Sequence, residues 1–282
     1  MKLISYIHNG NASYGIQIGD GICDLRRRWG GKFATLRLAI AGGAFVDLEK
    51  VSGAASIDFP FSEIVLNPPI TDPEKIVCIG LNYHAHAAEG GFKVPKQPSV
   101  FLRLTNTLVA SGQPLIRPLA STDFDYEGEL AIVIGKGGWN IKESSALDHV
   151  FGYSCFNDGS IRDFQFNHCV SVGKNFPSTG GFGPCVVTRD EIQDPSKLML
   201  VTRVNGKQVQ GRGTSDMIFD VQKIIAYVSS WTELSPGDVI ATGTPEGVGF
   251  ARKPPLWLKA GDLVEVDISQ IGVLSNSIKD GH

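Results

Sequence analysis

Glu127, Glu129 and Asp158 are the side chains of this 282-residue sequence whose types and spacing best suit chemistry. The first two stand in the run Asp125-Tyr126-Glu127-Gly128-Glu129-Leu130, the third in Phe156-Asn157-Asp158-Gly159-Ser160. Residues two apart on an extended chain face one side, so Glu127 and Glu129 would stand together. Adjacent carboxylates repel each other unless a cation, a proton or basic side chains neutralise them. Asp158, beyond the apolar stretch from Val150 to Phe156, would bring a third acid. An all-oxygen set of this kind suits Mg²⁺, Mn²⁺ or Ca²⁺, and Mg²⁺ keeps waters that a chelating substrate can displace. A lone Glu-x-Glu usually marks a solvated polar face. The neighbouring motifs weigh against that reading here.

The elements that would position these acids are mostly strands. Residues 125–134 end in β-branched and aliphatic side chains closed by Gly135, which predicts a strand. Lys2 to His8 and Tyr14 to Ile18 read as short strands around Asn9-Gly10-Asn11, Leu36 to Ala41 as part of a helix, and Arg26-Arg27-Arg28 as an exposed helix end. Pro68, Pro69 and Pro73 form a stiff connection, which divides a small α+β unit over residues 1–70 from a larger one over 71–282. In the larger unit turn residues separate many short apolar runs, the pattern of a β-rich α+β fold. Val201 to Val204 and Lys207 to Gln210 flank Asn205-Gly206, a strong hairpin signature. Ile218, Val221, Ile224, Ile225 and Val228 repeat at helical spacing, predicting a helix from Ser215 to Trp231 capped by Thr214 or Ser215. Val239 to Thr242 and Leu263 to Ile268 read as strands, each opened by a Gly-Asp turn. No β-α-β-α rhythm and no glycine-rich nucleotide motif argue for a Rossmann fold or a barrel.

Twenty-six basic against 29 acidic residues give a net charge of −3, which offers nothing to attract nucleic acid or an anionic membrane, so a small-molecule partner is expected. The opening residues have no long apolar core or cleavage site, and no stretch approaches the length of a membrane span. A soluble, cytoplasmic protein is the expectation. Five cysteines form no Cys-x-x-Cys pair, which predicts reduced, partly buried thiols rather than a disulfide framework or a zinc knuckle.

Further motifs stand in a fixed order around the acids. Gly80-Leu81-Asn82-Tyr83-His84-Ala85-His86-Ala87-Ala88-Glu89 precedes them, and Asn157-Asp158-Gly159-Ser160-Ile161-Arg162-Asp163-Phe164-Gln165 contains the third. Gly173-Lys174-Asn175-Phe176, Val204-Asn205-Gly206 and Thr242-Gly243-Thr244-Pro245-Glu246-Gly247-Val248-Gly249 follow. This order resembles the fumarylacetoacetate hydrolase superfamily from about Lys75 to Ile278. The resemblance implies a mixed β-roll or β-sandwich fold, a homodimer, and a Mg²⁺ or Mn²⁺ site whose carboxylates are Glu127, Glu129 and Asp158. It further implies a 2-oxo acid substrate with a second carbonyl, such as an acylpyruvate, fumarylpyruvate or a 2,4-dioxo acid. The chain departs from close acylpyruvase relatives at Leu81, where some carry a basic residue, and before Gly173-Lys174, where a tryptophan is common.

A dication would polarise the 2-oxo group and stabilise the enolate released when the C–C bond breaks. His86 and Glu89, three apart, would share a helical face and form a base pair able to activate water. The resemblance sets Lys174 beside metal and substrate, where its ammonium would help hold the enolate charge. Arg162 and Gln165 match the family's Arg-Asp-x-Gln pattern and would bind a substrate carboxylate or orient ligands, with a salt bridge from Arg162 to Asp163 as the structural alternative. Thr244 would offer its hydroxyl or N–H to the substrate. His84, His168 and the cysteines are expected to have no chemical role. The leading expectation is a metal-dependent C–C hydrolase releasing pyruvate or a related 2-oxo acid. Its alternatives are an oxaloacetate-like decarboxylase, an isomerase, and a non-catalytic relative that keeps the fold.

Overall fold

The computed structural model describes residues 1–281, with only the backbone described at Leu48 and Glu49. Strands β1 (Lys2–His8) and β2 (Asn11–Ile18) form the expected hairpin, with Asn9 and Gly10 at φ of 48° and 75°. β3 (Gly21–Asp24), α1 (Leu25–Arg28), α2 (Leu36–Ala41), α3 (Leu48–Gly53), β4 (Phe59–Pro60) and β5 (Ile64–Asn67) follow. Arg27 and Arg28 end α1 in solvent, and Arg28 pairs with Asp58 at 3.1 Å, so the basic triplet is a solvated helix end.

Beyond the proline-rich connection come β6 (Ile76–Gly80), α4 (His84–Glu89), β7 (Ser99–Arg103), β8 (Leu108–Val109), β9 (Leu115–Arg117) and β10 (Phe124–Asp125). Next are β11 (Gly128–Ile134), β12 (Val150–Asn157), β13 (Ser160–Ile161), α5 (Arg162–Asn167), α6 (Val170–Lys174) and β14 (Gly180–Thr188). The chain closes with β15 (Met199–Val204), β16 (Lys207–Gly213), α7 (Val221–Trp231), β17 (Val239–Ala241), β18 (Leu263–Ile268) and β19 (Gly272–Asp280).

Twelve strands make one sheet whose main path runs β4-β3-β2-β1-β14-β12-β11-β17-β6-β7, with β5 added on β1 and β8 on β14. A second sheet runs β16-β15-β18-β19-β9. The first 70 residues share the large sheet with the rest of the chain, since Lys2 pairs with Val187 and Leu3 with Val186.

β11 lies inside the large sheet and is buried on both faces. Leu130, Ile132 and Ile134 point into a core shared with Ile224, Ile225 and Val228 of α7 and with Val266 and Ile268 of the second sheet. Ala131 and Val133 point into the opposite core with Phe151, Phe156 and Phe182. The period-2 alternation places Glu129 on the Ala131 side, and burial of so many aliphatic groups fixes the register, because a one-residue slip would exchange the two faces. At Gly128 the second sheet comes so close that a Cβ would collide with Thr202 Oγ1. A glycine between the two glutamates is therefore a packing requirement.

The hairpin at Asn205-Gly206 is present, both residues having positive φ (52° and 75°) as a type I′ turn needs. The helix expected from Ser215 is shorter. Thr214–Asp216 forms a single 3₁₀ turn, and α7 begins at Val221, capped by Asp220, whose carboxylate accepts from Lys223 N at 2.8 Å. Residues 218 and 219 are drawn from the helix because their N–H groups donate to Asn82, at O and Oδ1 respectively, both at 2.8 Å. Among the described residues no helix is long and apolar enough to cross a membrane.

Candidate active site

The three acids converge. Glu127, Glu129 and Asp158 are 6 %, 1 % and 0 % exposed, and one carboxylate oxygen of each lies within 4.8 Å of the others. Local backbone contacts set this up: Glu127 N donates to Asn157 Oδ1 at 3.0 Å, and Asp158 N to Glu127 O at 2.8 Å. Gly159 follows Asp158 because a Cβ there would collide with the Thr179 carbonyl.

Burying these acids demands compensation, and three cations provide it. Lys174 Nζ, at the end of α6, donates to Glu127 Oε2 and Asp158 Oδ2, both at 2.6 Å. Arg162 pairs with Asp125 at 2.8 Å and with Glu127 at 2.7 Å. Arg103 pairs with Asp158 Oδ1 at 2.5 Å and donates to Gly159 O and Thr179 Oγ1. Four carboxylates, counting Asp125, thus face three cations. Burial alone would raise Glu127, but Lys174 and Arg162 outweigh it and bring its carboxyl down to about 2. Among the described residues Glu129 receives one hydrogen bond, from the Gly243 N–H at 2.8 Å, and burial together with Asp158 and Glu127 holds it well above the usual carboxylate range. Burial works against the Lys174 ammonium, yet Asp158 and Glu127 hold its pKa above the ordinary lysine value. A divalent cation would give Glu129 the counter-charge it lacks and so favour its ionised form, and the buried all-oxygen donor set suits Mg²⁺ or Mn²⁺. The residues fit such an ion.

His86 and Glu89 are brought together on α4, with His86 Nδ1 2.9 Å from Glu89 Oε1. The other Glu89 oxygen accepts from Gly247 N at 2.8 Å, which leaves Glu89 an acceptor towards the ring. Nδ1 therefore carries the proton and Nε2 is the open nitrogen. His86, Glu127, Glu129, Arg162, Gln165, Lys174 and Thr244 all line one cavity of about 200 Å³.

Two expectations are corrected in detail. Arg162 does not bridge to Asp163, which is occupied by Ser121 Oγ and Phe164 N; its guanidinium is held inward by Asp125 and Glu127 and donates to Gln165 Oε1 at 2.9 Å. The Thr244 hydroxyl donates to Gly128 O and accepts from Gln210 Nε2, both at 2.9 Å, so it braces the strand carrying the glutamates. Arg103, Asp125 and Gln210 were not singled out in the sequence. Their contacts to the site, Arg103 with Asp158, Asp125 with Arg162 and Gln210 with Gly128, join residues far apart in the chain, and the one available hint was that three buried acids require counter-charges.

A β-rich α+β fold with three clustered, buried carboxylates and a lysine close to a His–Glu pair is the arrangement that the resemblance to the fumarylacetoacetate hydrolase superfamily implies. The family model Fumarylacetoacetate (FAA) hydrolase C-terminal matches residues 75–279, and the chain belongs to that family. It is 46 % identical over 220 residues to oxaloacetate tautomerase fahd2, mitochondrial, of Xenopus laevis, covering 77 % of this chain and 69 % of that one. It is 34 % identical, with a TM-score of 0.84 and full coverage of both chains, to fumarylacetoacetate hydrolase (EaFAH) from psychrophilic Exiguobacterium antarcticum. Maleylpyruvate hydrolase from Sphingobium sp. SYK-6, solved in complex with manganese (II) ion and pyruvate, is 29 % identical with a TM-score of 0.83 over the full length of both chains.

Proposed function

We propose that this protein is a divalent-metal-dependent enzyme that interconverts the keto and enol forms of a 2-oxo acid, the reaction type named for its Xenopus relative with oxaloacetate. The observation that carries the reading is that His86, paired with Glu89, lines the same cavity as Glu127 and Glu129, with Asp158 buried beside them in the acid cluster. A Mg²⁺ or Mn²⁺ ion held by those carboxylates supplies Lewis-acid polarisation of the 2-oxo group.

His86 Nε2 takes a proton from the carbon next to the 2-oxo group, and the electron pair moves onto the oxo oxygen. His86 Nε2 then returns that proton to the oxygen, which completes the enol and restores the neutral imidazole, so one proton migrates and nothing else is exchanged. Glu89 keeps the ring oriented and stabilises the imidazolium while it holds the proton. Lys174 and Arg162 hold Glu127 ionised, and Lys174 adds positive charge beside the developing oxyanion. Gln165 and the Thr244 backbone N–H position the substrate head. The dyad could serve either reaction, and the similarity to oxaloacetate tautomerases favours enolisation over the hydrolysis expected from the sequence.

Hydrolytic C–C cleavage stands as a second reading, favoured by the maleylpyruvate hydrolase solved with manganese and pyruvate. There the same His86 would draw a proton from water. A homodimer in the cytoplasm belongs to the same proposal; five free cysteines, four of them buried, suit a reducing compartment. The deciding experiment follows enol absorbance by stopped flow, with Mn²⁺ and with a chelator, alongside proton NMR of products from a 2,4-dioxo acid. Faster ketonisation by the Mn²⁺-loaded protein than by Mn²⁺ in buffer supports the reading; an unchanged rate with rapid pyruvate release would replace it by hydrolysis.

A further inference from the structure

The cavity has two unlike halves. Its floor carries Glu127, Glu129, Arg162 and Lys174, whereas its wall and mouth are built from Leu81, Phe92, Phe101, Phe166, Val170 and Phe250. Phe92, Phe166 and Val170 are 43 %, 51 % and 38 % exposed, an unusual gathering of apolar surface at the entrance of a charged site. Phe166 and Phe250 meet edge to face with centroids 5.4 Å apart, and the Arg162 guanidinium lies over the Phe250 ring at 4.6 Å from its centroid. Leu81 reaches the cavity from a left-handed backbone (φ 56°), a conformation costly for a leucine and retained where the surrounding structure demands it.

Among the described residues lining the cavity, the groups able to bear positive charge are His86, Arg162 and Lys174. Each already has a carboxylate partner: Glu89 for His86, Asp125 and Glu127 for Arg162, Glu127 and Asp158 for Lys174. A second carboxylate on the substrate would be stripped of water against phenylalanine rings with no free cation to receive it, an unfavourable transfer. An apolar tail would instead cover the exposed rings and gain from leaving water.

We propose that the substrate's tail, the part beyond its 2-oxo acid head, is apolar and of aryl or branched-alkyl size, so that this chain prefers arylpyruvate-like acids to dicarboxylates such as oxaloacetate. The head chemistry rests on the enolisation reading; the tail assignment rests on the wall.

Calorimetric binding to the Mn²⁺-loaded protein tests the tail without turnover, with phenylpyruvate and 2-oxoglutarate as probes. Wild type is expected to bind phenylpyruvate at least ten-fold more tightly, and to show kcat/KM for phenylpyruvate tautomerisation at least ten-fold above that for oxaloacetate. F166K places a free ammonium at the exposed mouth and should shift both ratios ten-fold or more towards the dicarboxylates; V170K serves the same end if F166K does not fold. Equal or tighter binding of 2-oxoglutarate by wild type overturns the tail assignment. A phenylpyruvate preference in binding with no tautomerisation of either acid leaves the tail standing and removes the enolisation reading instead.

Discussion

Lys174 Nζ lies 2.6 Å from Asp158 Oδ2, with both side chains at most 2 % exposed. The same ammonium reaches Glu127, so one lysine compensates two acids of the cluster. Lys174→Met should leave both carboxylates buried with less counter-charge and cost about 3–5 kcal/mol of stability in metal-free protein. Urea unfolding with and without Mn²⁺ checks this, since bound metal should recover part of the loss. A variant as stable as wild type without metal would contradict the ion pairs.

The proton-transfer role proposed for His86 predicts a selective loss. His86→Ala should lower kcat by about 10²–10⁴-fold, the usual contribution of a positioned base, while Mn²⁺ affinity stays near wild type. Glu89→Gln keeps the shape but removes the charge facing Nδ1, so its loss should be smaller and in the same parameter. Steady-state kinetics paired with Mn²⁺ titration separates this from a general collapse of the site.

Much of this site was legible in the sequence because it depends on local rules. The period-2 pattern of a strand put Glu127 and Glu129 together, helical spacing put Glu89 beside His86, and Asn205-Gly206 needed left-handed residues. What escaped depends on distance in the chain. Arg103 meets Asp158 across 55 residues and Asn82 holds Phe219 across 137, and no local pattern marks such pairs. The start of α7 was misplaced for the same reason, since Asn82 takes the N–H groups that a longer helix would have used.

Alkaline pH should destabilise the fold. Burial pushes the Cys185 thiol from 9.0 up to about 11, and the Tyr14 and Tyr126 phenols from 10.0 up to about 12. The unfolded chain releases these protons at the ordinary values while the folded chain retains them. Their contribution is complete below pH 9 and is lost as pH rises through 11 to 12. Cys185 alone should cost about 1.4 kcal/mol by pH 10. Melting temperatures should be level between pH 7 and 8.5 and fall steadily by pH 10.5; a level profile to pH 10.5 would count against these burials.

Thiol reactivity should single out Cys169. It is exposed, whereas Cys23, Cys78, Cys155 and Cys185 are buried. Ellman's reagent at pH 8 should titrate one thiol rapidly in native protein and the other four only after denaturation. Two or more fast thiols would show that a core containing these cysteines opens readily.

The proposed activity depends on Glu127, Glu129 and Asp158 together holding one divalent cation. Titrating Mn²⁺ into wild type and Glu129→Gln, followed by electron paramagnetic resonance of the free ion, tests it most directly. Wild type should show one site per chain, Glu129→Gln an affinity at least ten-fold weaker, and tautomerisation should track occupancy. Unaltered Mn²⁺ affinity in Glu129→Gln, or full activity in wild type with no manganese or magnesium bound, would contradict it.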